Sequence, residues 1–310
     1  MGNVIGDGRR NLEPPNLRIG TAGWSYPDWD GVVYPDSRPR GFDALEYLSS
    51  YFSVIEINST FYRTPSPSIC RNWARRTPPP PRFSFTVKAL QDFTHSTGPL
   101  DGMPAFRRAI APLADEDKLS AVLVQFPWSL RDGPEARRRI DEITAALSPL
   151  PVALEVRHGS WDRPGARAWL AATGHSVCGI DQPVIGQSVE PGGHIAGSAG
   201  TYLRLHGRNY RDWFRDGAGR DARYDYLYSA EELAPWVETI RRAAASSTTT
   251  VILNNHFRGQ APANGFELMA ALSGTRVPAP APLRRAFPRL ENATTPGFEA
   301  AGESAWLFDD

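Results

Sequence analysis

Glu155 and Arg157 stand two apart in the segment Ala153–Trp161, and Arg204 and His206 repeat that spacing in Tyr202–Asn209. Side chains two apart on a strand share a face. Each pair therefore sets a titratable group beside a guanidinium. A carboxylate or an imidazole can move a proton. A guanidinium holds a carboxylate or a phosphate through a rigid fork of N–H donors. Together they suit acid/base chemistry on an anionic ligand. Other short apolar runs end in similar groups: Glu56 and Asn58, Lys88, Gln125, Asp181, and Asn254 with His256. On this reading Glu155 and His206 are the acid/base candidates, and Asp181 orients or supplements them. Lys88, Arg157 and Arg204 hold the anion. Glu56, Asn58, Gln125, Asn254 and His256 complete a polar wall, and His95 lies in the loop beyond Lys88. Trp24 and Tyr62 are placed to cover the ligand.

The same residues admit two other accounts. Glu56, Glu155 and Asp181 could neutralise the arginines in a closed network that serves the fold alone. The two accounts diverge on Arg204→Met. A ligand-holding arginine can be removed without unfolding the protein, whereas an arginine in a closed network leaves a carboxylate stranded at a cost of roughly 3–5 kcal/mol. The oxygen and nitrogen donors could also suit a divalent cation. However, the chain has no HExxH-type spacing, and Lys88, Arg157 and Arg204 interspersed among the donors oppose a cation. No metal or other cofactor is assigned. Neither a GxSxG nucleophile turn nor a Walker loop occurs.

Something must gather these side chains. Eight β-branched, aliphatic-rich runs carry them: Leu17–Gly23, Val54–Asn58, Phe83–Lys88, Ala121–Phe126, Val152–His158, Ser176–Asp181, Thr201–Gly207 and Thr250–His256. In four of them one face is aliphatic and the other ends in polar groups, always at the C-terminal end. Helical patterns lie between, over 42–52, 66–76, 104–114, 134–147, 164–172, 230–245 and 266–272, three of them opening on proline. Strands alternating with helices give parallel βαβ units, and eight of them predict a single α/β domain, a TIM (β/α)8 barrel. An open doubly wound sheet is the alternative, without a GxGxxG loop to support it. Residues 1–16 are expected to be a flexible leading segment, 17–275 the barrel, and 276–310 a Pro/Ala-rich tail whose removal beyond Pro278 leaves the barrel folded unless Trp306, Leu307 and Phe308 dock on it. The aromatic-rich connections 24–41 and 206–229 should overhang the C-terminal face as lids or stacking platforms. Residues 182–200, rich in Gly, Pro and Ser, read as a mobile loop.

Bulk properties narrow the partners. The 310 residues carry 34 basic and 34 acidic side chains. This balance gives nucleic acid no bulk electrostatic attraction, though it leaves room for a local basic pocket. Only Lys88 and Lys118 are lysines; the other basic residues are arginine. Two cysteines, Cys70 and Cys178, without CxxC spacing, read as buried free thiols of a reducing compartment. With no long apolar stretch and no signal-peptide core, no membrane partner and a cytoplasmic location are expected.

The segments "IGTAGWSYPDW" from Ile19, "VIEINSTFYRTP" from Val54, "FSFTVKALQDFTH" from Phe83, "VLVQFPWSL" from Val122, "ALEVRHGSW" from Ala153, "YLRLHGRN" from Tyr202, "RYDYLYS" from Arg223 and "NNHFRGQAPANG" from Asn254 together resemble the DUF72 family, the YecE-like proteins. The resemblance covers about Ile19 to Leu272. It implies a TIM barrel, distantly similar to metal-dependent endonuclease IV-type barrels, and by that analogy a nucleic-acid-processing role. Family motif positions are matched by Glu56, Asn58, Tyr62, Lys88, His95, Gln125, Glu155, Arg157, His158, Asp181, Arg204, His206 and Asn254, without assigning them roles. Gly265 departs from the pattern, where a helix former is usual. The reading from the residues is a hydrolase or lyase for a small anionic ligand, such as a phosphorylated sugar or a nucleotide-like compound. The alternatives are a metal-dependent phosphodiesterase of nucleic acid and a non-catalytic binding or scaffold protein.

Overall fold

A computed structural model describes residues 16–192, 199–213 and 220–297. Eight parallel strands close into one barrel, in sequence order: β1 (Leu17–Ala22), β2 (Val54–Ile57), β3 (Ser84–Lys88), β4 (Leu119–Gln125), β5 (Val152–Glu155), β6 (Ser176–Asp181), β7 (Thr201–Leu205) and β8 (Thr249–Leu253). β1 pairs with both β2 and β8, which closes the cylinder. The eight apolar runs are therefore the eight strands, and the α/β TIM-barrel fold holds.

Around the barrel lie α1 (Ala44–Ser49), α2 (Pro67–Arg75), α3 (Gln91–His95), α4 (Met103–Asp115), α5 (Pro134–Leu147), α6 (Pro164–Ala172), α7 (Ala230–Ser246) and α8 (Gln260–Ser273). Their starts follow local chemistry. The Asp43 carboxylate accepts from the Leu45 and Glu46 amides to open α1. Ser229 and Glu232 form a reciprocal capping box on α7. Proline stands in the first turn of α2, α5 and α6, where its missing N–H costs nothing. The crossover from β6 to β7 has no helix among its described residues. Instead the Val189 amide bonds the Arg157 carbonyl and the Gly159 amide bonds the Gln187 carbonyl, docking that loop on the exit of β5. Its residues 193–198 lie outside the described ones.

Strand register sorts the side chains. Gln125 pairs with Glu155, Cys178 with Tyr202 and Ile180 with Arg204. Neighbours at one register level of a parallel barrel point the same way. The interior thus receives Glu56, Thr86, Glu155, Cys178, Tyr202 and Arg204, while Leu154, Leu203 and Leu205 face the helices. Cys70 and Cys178 are buried free thiols. No helix among the described residues is long and apolar enough to cross a membrane.

Two departures from the sequence reading are informative. The stretch after Gly274 does not trail away. β9 (Val277–Ala279) pairs in parallel with β10 (Thr294–Pro296), and α9 (Ala281–Ala286) lies between them. Leu283 and Leu290 are fully buried, and Arg289 bridges to Glu267 of α8. Sparse but well-placed apolar residues, rather than a periodic stripe, fasten this segment, so pattern counting missed it. Residues 298–310, with Trp306, Leu307 and Phe308, and the leading residues 1–15 lie outside the described ones. Gly265, the unusual position in α8, has a packing reason: a Cβ there would stand 2.8 Å from Phe52 Cε1. The missing side chain lets α8 close on the barrel.

Candidate functional site

The ends of the strands open into a cavity of about 300 Å³ at the C-terminal side of the barrel. Trp24 and Tyr26 after β1, Asn58 and Tyr62 after β2, Lys88 at the end of β3 and Gln125 at the end of β4 line one side. Arg204 of β7, Tyr224, Asn254 and His256 line the other. Eight of the residues selected from sequence therefore meet at one mouth.

Four more form its foundation. Arg204, 1% exposed, sends one Nη to Glu56 Oε1 at 2.6 Å and the other to Glu155 Oε2 at 2.6 Å. It also donates to Gln125 Oε1 at 3.1 Å. Arg157 takes the remaining Glu155 oxygen, with Nε 2.7 Å from Oε1. Beneath them the Tyr202 hydroxyl donates to Glu56 Oε2 at 2.8 Å, beside Thr86 Oγ1. His206, fully buried, lies 2.7 Å from the Asn254 amide through Nδ1. Its Nε2 faces Glu155 Oε1 at 3.8 Å and Arg157 at 3.5 Å. Glu155 and His206 thus sit behind the lining residues, not on the cavity wall.

Burial and charge act on these groups in opposite senses. Burial alone would raise the Glu155 carboxyl, but Arg157 and Arg204 outweigh it and hold the group well below the usual carboxylate range. Burial, then Arg204 and Arg157, push the His206 imidazole well below its ordinary value, so the ring is neutral. Lys88 differs from both. Burial, with Arg204 adding to it, lowers its ammonium to about 7. Its Nζ lies 3.9 Å over the Phe61 ring and, among the described residues, has neither a hydrogen-bond partner nor a counterion.

Two selected residues, Asp181 and His95, and the family-matched His158 stand elsewhere. Asp181 is a correction. It ends β6 at the level of outward-facing Leu205 and points into the helix layer. There Arg208 grips it in a fork, 2.9 Å to Oδ1 and 2.8 Å to Oδ2, and Trp236 Nε1 donates at 2.8 Å. Strand parity carried that information, since Asp181 lies an odd number of positions from inward-facing Cys178. His95 is exposed on α3, edge-on to Phe61, and does not line the cavity. His158 turns outward as its parity requires, and its Nδ1 accepts from the Ser160 amide.

The walls also hold residues to which the sequence assigned no individual part. Tyr26 stacks on His256 with ring centres 4.3 Å apart, and Tyr224 packs against the same imidazole in a tilted contact at 4.9 Å. The Trp29 indole fixes the His256 carbonyl at 2.7 Å. Their signal was the aromatic density of the two long connections, but which ring meets which polar group depends on loop paths that periodicity does not describe.

Among the described residues no group of three or more His, Cys, Asp or Glu side chains could hold an ion. Glu56 and Glu155 are already committed to arginines, and three cationic side chains surround them. The arrangement does not fit a divalent cation.

A closed parallel barrel defines an α/β TIM-barrel protein, and its charged, aromatic-walled mouth is a candidate site at the end where such barrels keep theirs. The chain belongs to the family described as "Protein of unknown function DUF72", which it matches over residues 18–286. That match extends past α8 into α9, in keeping with the docked C-terminal segment. The UPF0759 protein YunF of Bacillus subtilis (strain 168) is 30% identical over 278 residues, 83% of this chain and 94% of the relative. A DUF72 family protein of Thermotoga maritima MSB8 superimposes with a TM-score of 0.70 at 32% identity, covering 81% of this chain and 97% of that one. One from Enterococcus faecalis V583 gives 0.72 at 24% identity, covering 83% and 95%.

Proposed function

We propose that the mouth binds a small anionic ligand, such as a phosphorylated sugar or nucleotide-like compound, and that the protein is an enzyme of the hydrolase or lyase type. One observation carries the reading. With Lys88 protonated, below about pH 7, Lys88, Arg157 and Arg204 bring three positive charges to the site, Glu56 and Glu155 bring two negative ones, and His206 is neutral. One positive charge is left over, and it lies on a cavity wall. A folded protein does not keep an uncompensated charge in a partly buried place without cost. An anion entering the cavity supplies the missing counterion. The cavity is of small-ligand size. The amides of Asn58, Gln125 and Asn254 offer neutral donors, and Trp24, Tyr62 and Tyr224 offer flat surfaces.

A second reading, a non-catalytic protein with a self-satisfied mouth, draws on the Glu56–Arg204–Glu155–Arg157 chain, whose charges pair with one another although Arg204 Nε lacks a hydrogen-bond partner among the described residues. It leaves Lys88 unexplained. Thermal unfolding across a phosphate titration separates the two. Anion binding raises the melting temperature progressively through linkage, and Lys88→Met weakens the response. A wild-type protein indifferent to both phosphate and sulfate would sink the anion reading.

A further inference from the structure

The sequence uses arginine almost everywhere a basic residue is needed, and only two positions are lysine. Their surroundings are opposite. Lys118, buried at the start of β4, donates from Nζ to the Ala74 carbonyl, the Thr77 carbonyl at 2.8 Å and Thr77 Oγ1 at 3.1 Å. Every proton of that ammonium has an acceptor, and its role is structural. Lys88 has none among the described residues: its amine faces the cavity over an aromatic ring, beside Gln125 and Arg204. Its backbone is held firmly, because Thr60 Oγ1 donates to the Lys88 carbonyl at 2.6 Å. An arginine here would hold an anion at least as well. What an amine offers, and a guanidinium does not, is a lone pair after losing its proton.

We infer that Lys88 is a nucleophilic amine that forms an imine with the carbonyl carbon of an anionic aldehyde or ketone, of the phosphorylated-sugar class, bound in the mouth. The inference rests on the anion-binding reading above and narrows it to lyase-type chemistry on a carbonyl compound. In the step, the Nζ lone pair attacks the carbonyl carbon and the C=O π pair moves to oxygen. The nitrogen gives up its two hydrogens in turn, and the oxygen departs with them as water. The product is a C=N bond, and protonation from solvent makes it an iminium. That iminium restores a positive charge at the same nitrogen, within the electrostatic influence of Glu155 and Glu56 and beside the ligand's own anion.

The charged and titratable surroundings favour the unprotonated amine. Burial acts first, then Arg204; Arg157 works in the same direction, while Glu155 and Glu56 oppose them. His95 lies beyond Phe61, and Tyr26, Tyr62, Tyr224 and His256 complete the titratable groups of the wall. With its ammonium lowered to about 7, Lys88 is about half unprotonated near neutral pH, against roughly one part in a thousand for an ordinary lysine.

The scarcity of lysine makes the test clean. The full chain is incubated with glyceraldehyde 3-phosphate, reduced with borohydride and mapped by peptide mass spectrometry, alongside Lys88→Arg and a phosphate titration followed by thermal unfolding. A stable adduct on the Lys88 peptide, diminished by competing phosphate and absent from folded Lys88→Arg, is the expected result. Its formation rate should rise as pH passes through about 7. No adduct at Lys88 while phosphate still raises the melting temperature overturns the imine and leaves the anion site standing. Neither adduct nor phosphate response removes both. Adduct formed equally at the N-terminal amine, or equally well in urea-unfolded protein, also overturns the inference, because the reaction then owes nothing to the site.

Discussion

Arg204 and Lys88 face the same cavity from β7 and β3, yet the protein treats their charges in opposite ways. Arg204 is surrounded: Glu56 and Glu155 each take one of its nitrogens at 2.6 Å, and the two carboxylates outweigh burial to hold its proton more firmly than usual. Lys88 is left over an aromatic ring without a counterion among the described residues, and burial weakens its hold on its proton. One region is a closed ion network of the kind that fixes geometry. The other is an open charge of the kind that waits for a ligand. The contrast teaches that strand-end charge is not one signal but two, and only the balance of partners separates them.

The largest effect should come from breaking the closed region. Arg204→Met leaves two buried carboxylates facing each other across the barrel, with only Arg157 to compensate one of them. Destabilisation of roughly 3–5 kcal/mol is expected, measured by urea unfolding at neutral pH. A variant as stable as wild type would mean that Arg204 belongs with Lys88 as an open, ligand-directed charge.

The open region should respond with the opposite sign. Lys88→Met removes an uncompensated ammonium, so the protein should become more stable by on the order of 2–4 kcal/mol at pH values below about 7. The sign follows from linkage. Between the folded value near 7 and the ordinary lysine value of 10.5, the unfolded chain binds a proton that the folded chain does not. Wild-type stability therefore rises with pH across that window. The variant lacks this rise, and the gap between the two closes toward alkaline pH. Urea unfolding on both sides of the window reads this directly, and a gap independent of pH would break the comparison.

A third carboxylate sharpens the boundary between the regions. Asp181→Asn weakens the fork with Arg208 outside the barrel and should cost about 1.5–3 kcal/mol, the range for a hydrogen bond to a charged group. The phosphate response should not change, because Asp181 does not reach the mouth. A lost response would show that α7 and the cavity are coupled.

These distinctions mark what the sequence could convey. The barrel was legible because each strand is a short apolar run with period-2 alternation, and that period is local. Parity then placed Glu56, Glu155, Arg204 and His206 inside correctly, and the same parity, applied to β6, would have turned Asp181 outward. Which cation each carboxylate selects was not legible. It depends on register between β2, β5 and β7, which lie far apart in sequence. The docking of Leu283 and Leu290 was hidden for a similar reason, since single apolar residues among prolines carry no period. The open state of Lys88 was invisible as well, because it is defined by the absence of partners in three dimensions.

The smallest expected change in stability tests how the open region recognises more than charge. Tyr62 is 58% exposed at the rim of the cavity and packs edge-on against Phe61, the ring beneath Lys88. A large aromatic side chain so exposed contributes little to folding, and Tyr62→Ala should change stability by no more than about 0.5 kcal/mol. If the ring covers the ligand, its removal should nonetheless weaken binding of a sugar phosphate, where a pyranose or base face can lie against it. Bare phosphate, which has no such face, should bind the variant and wild type alike. Titrating both ligands against both proteins by thermal shift separates the contributions. A loss for the sugar phosphate alone assigns Tyr62 to the organic part of the ligand and leaves the charge to Lys88. An equal loss for both ligands would mean that Tyr62 acts through Phe61 on the position of the ammonium, and that the aromatic rim and the open charge are one device.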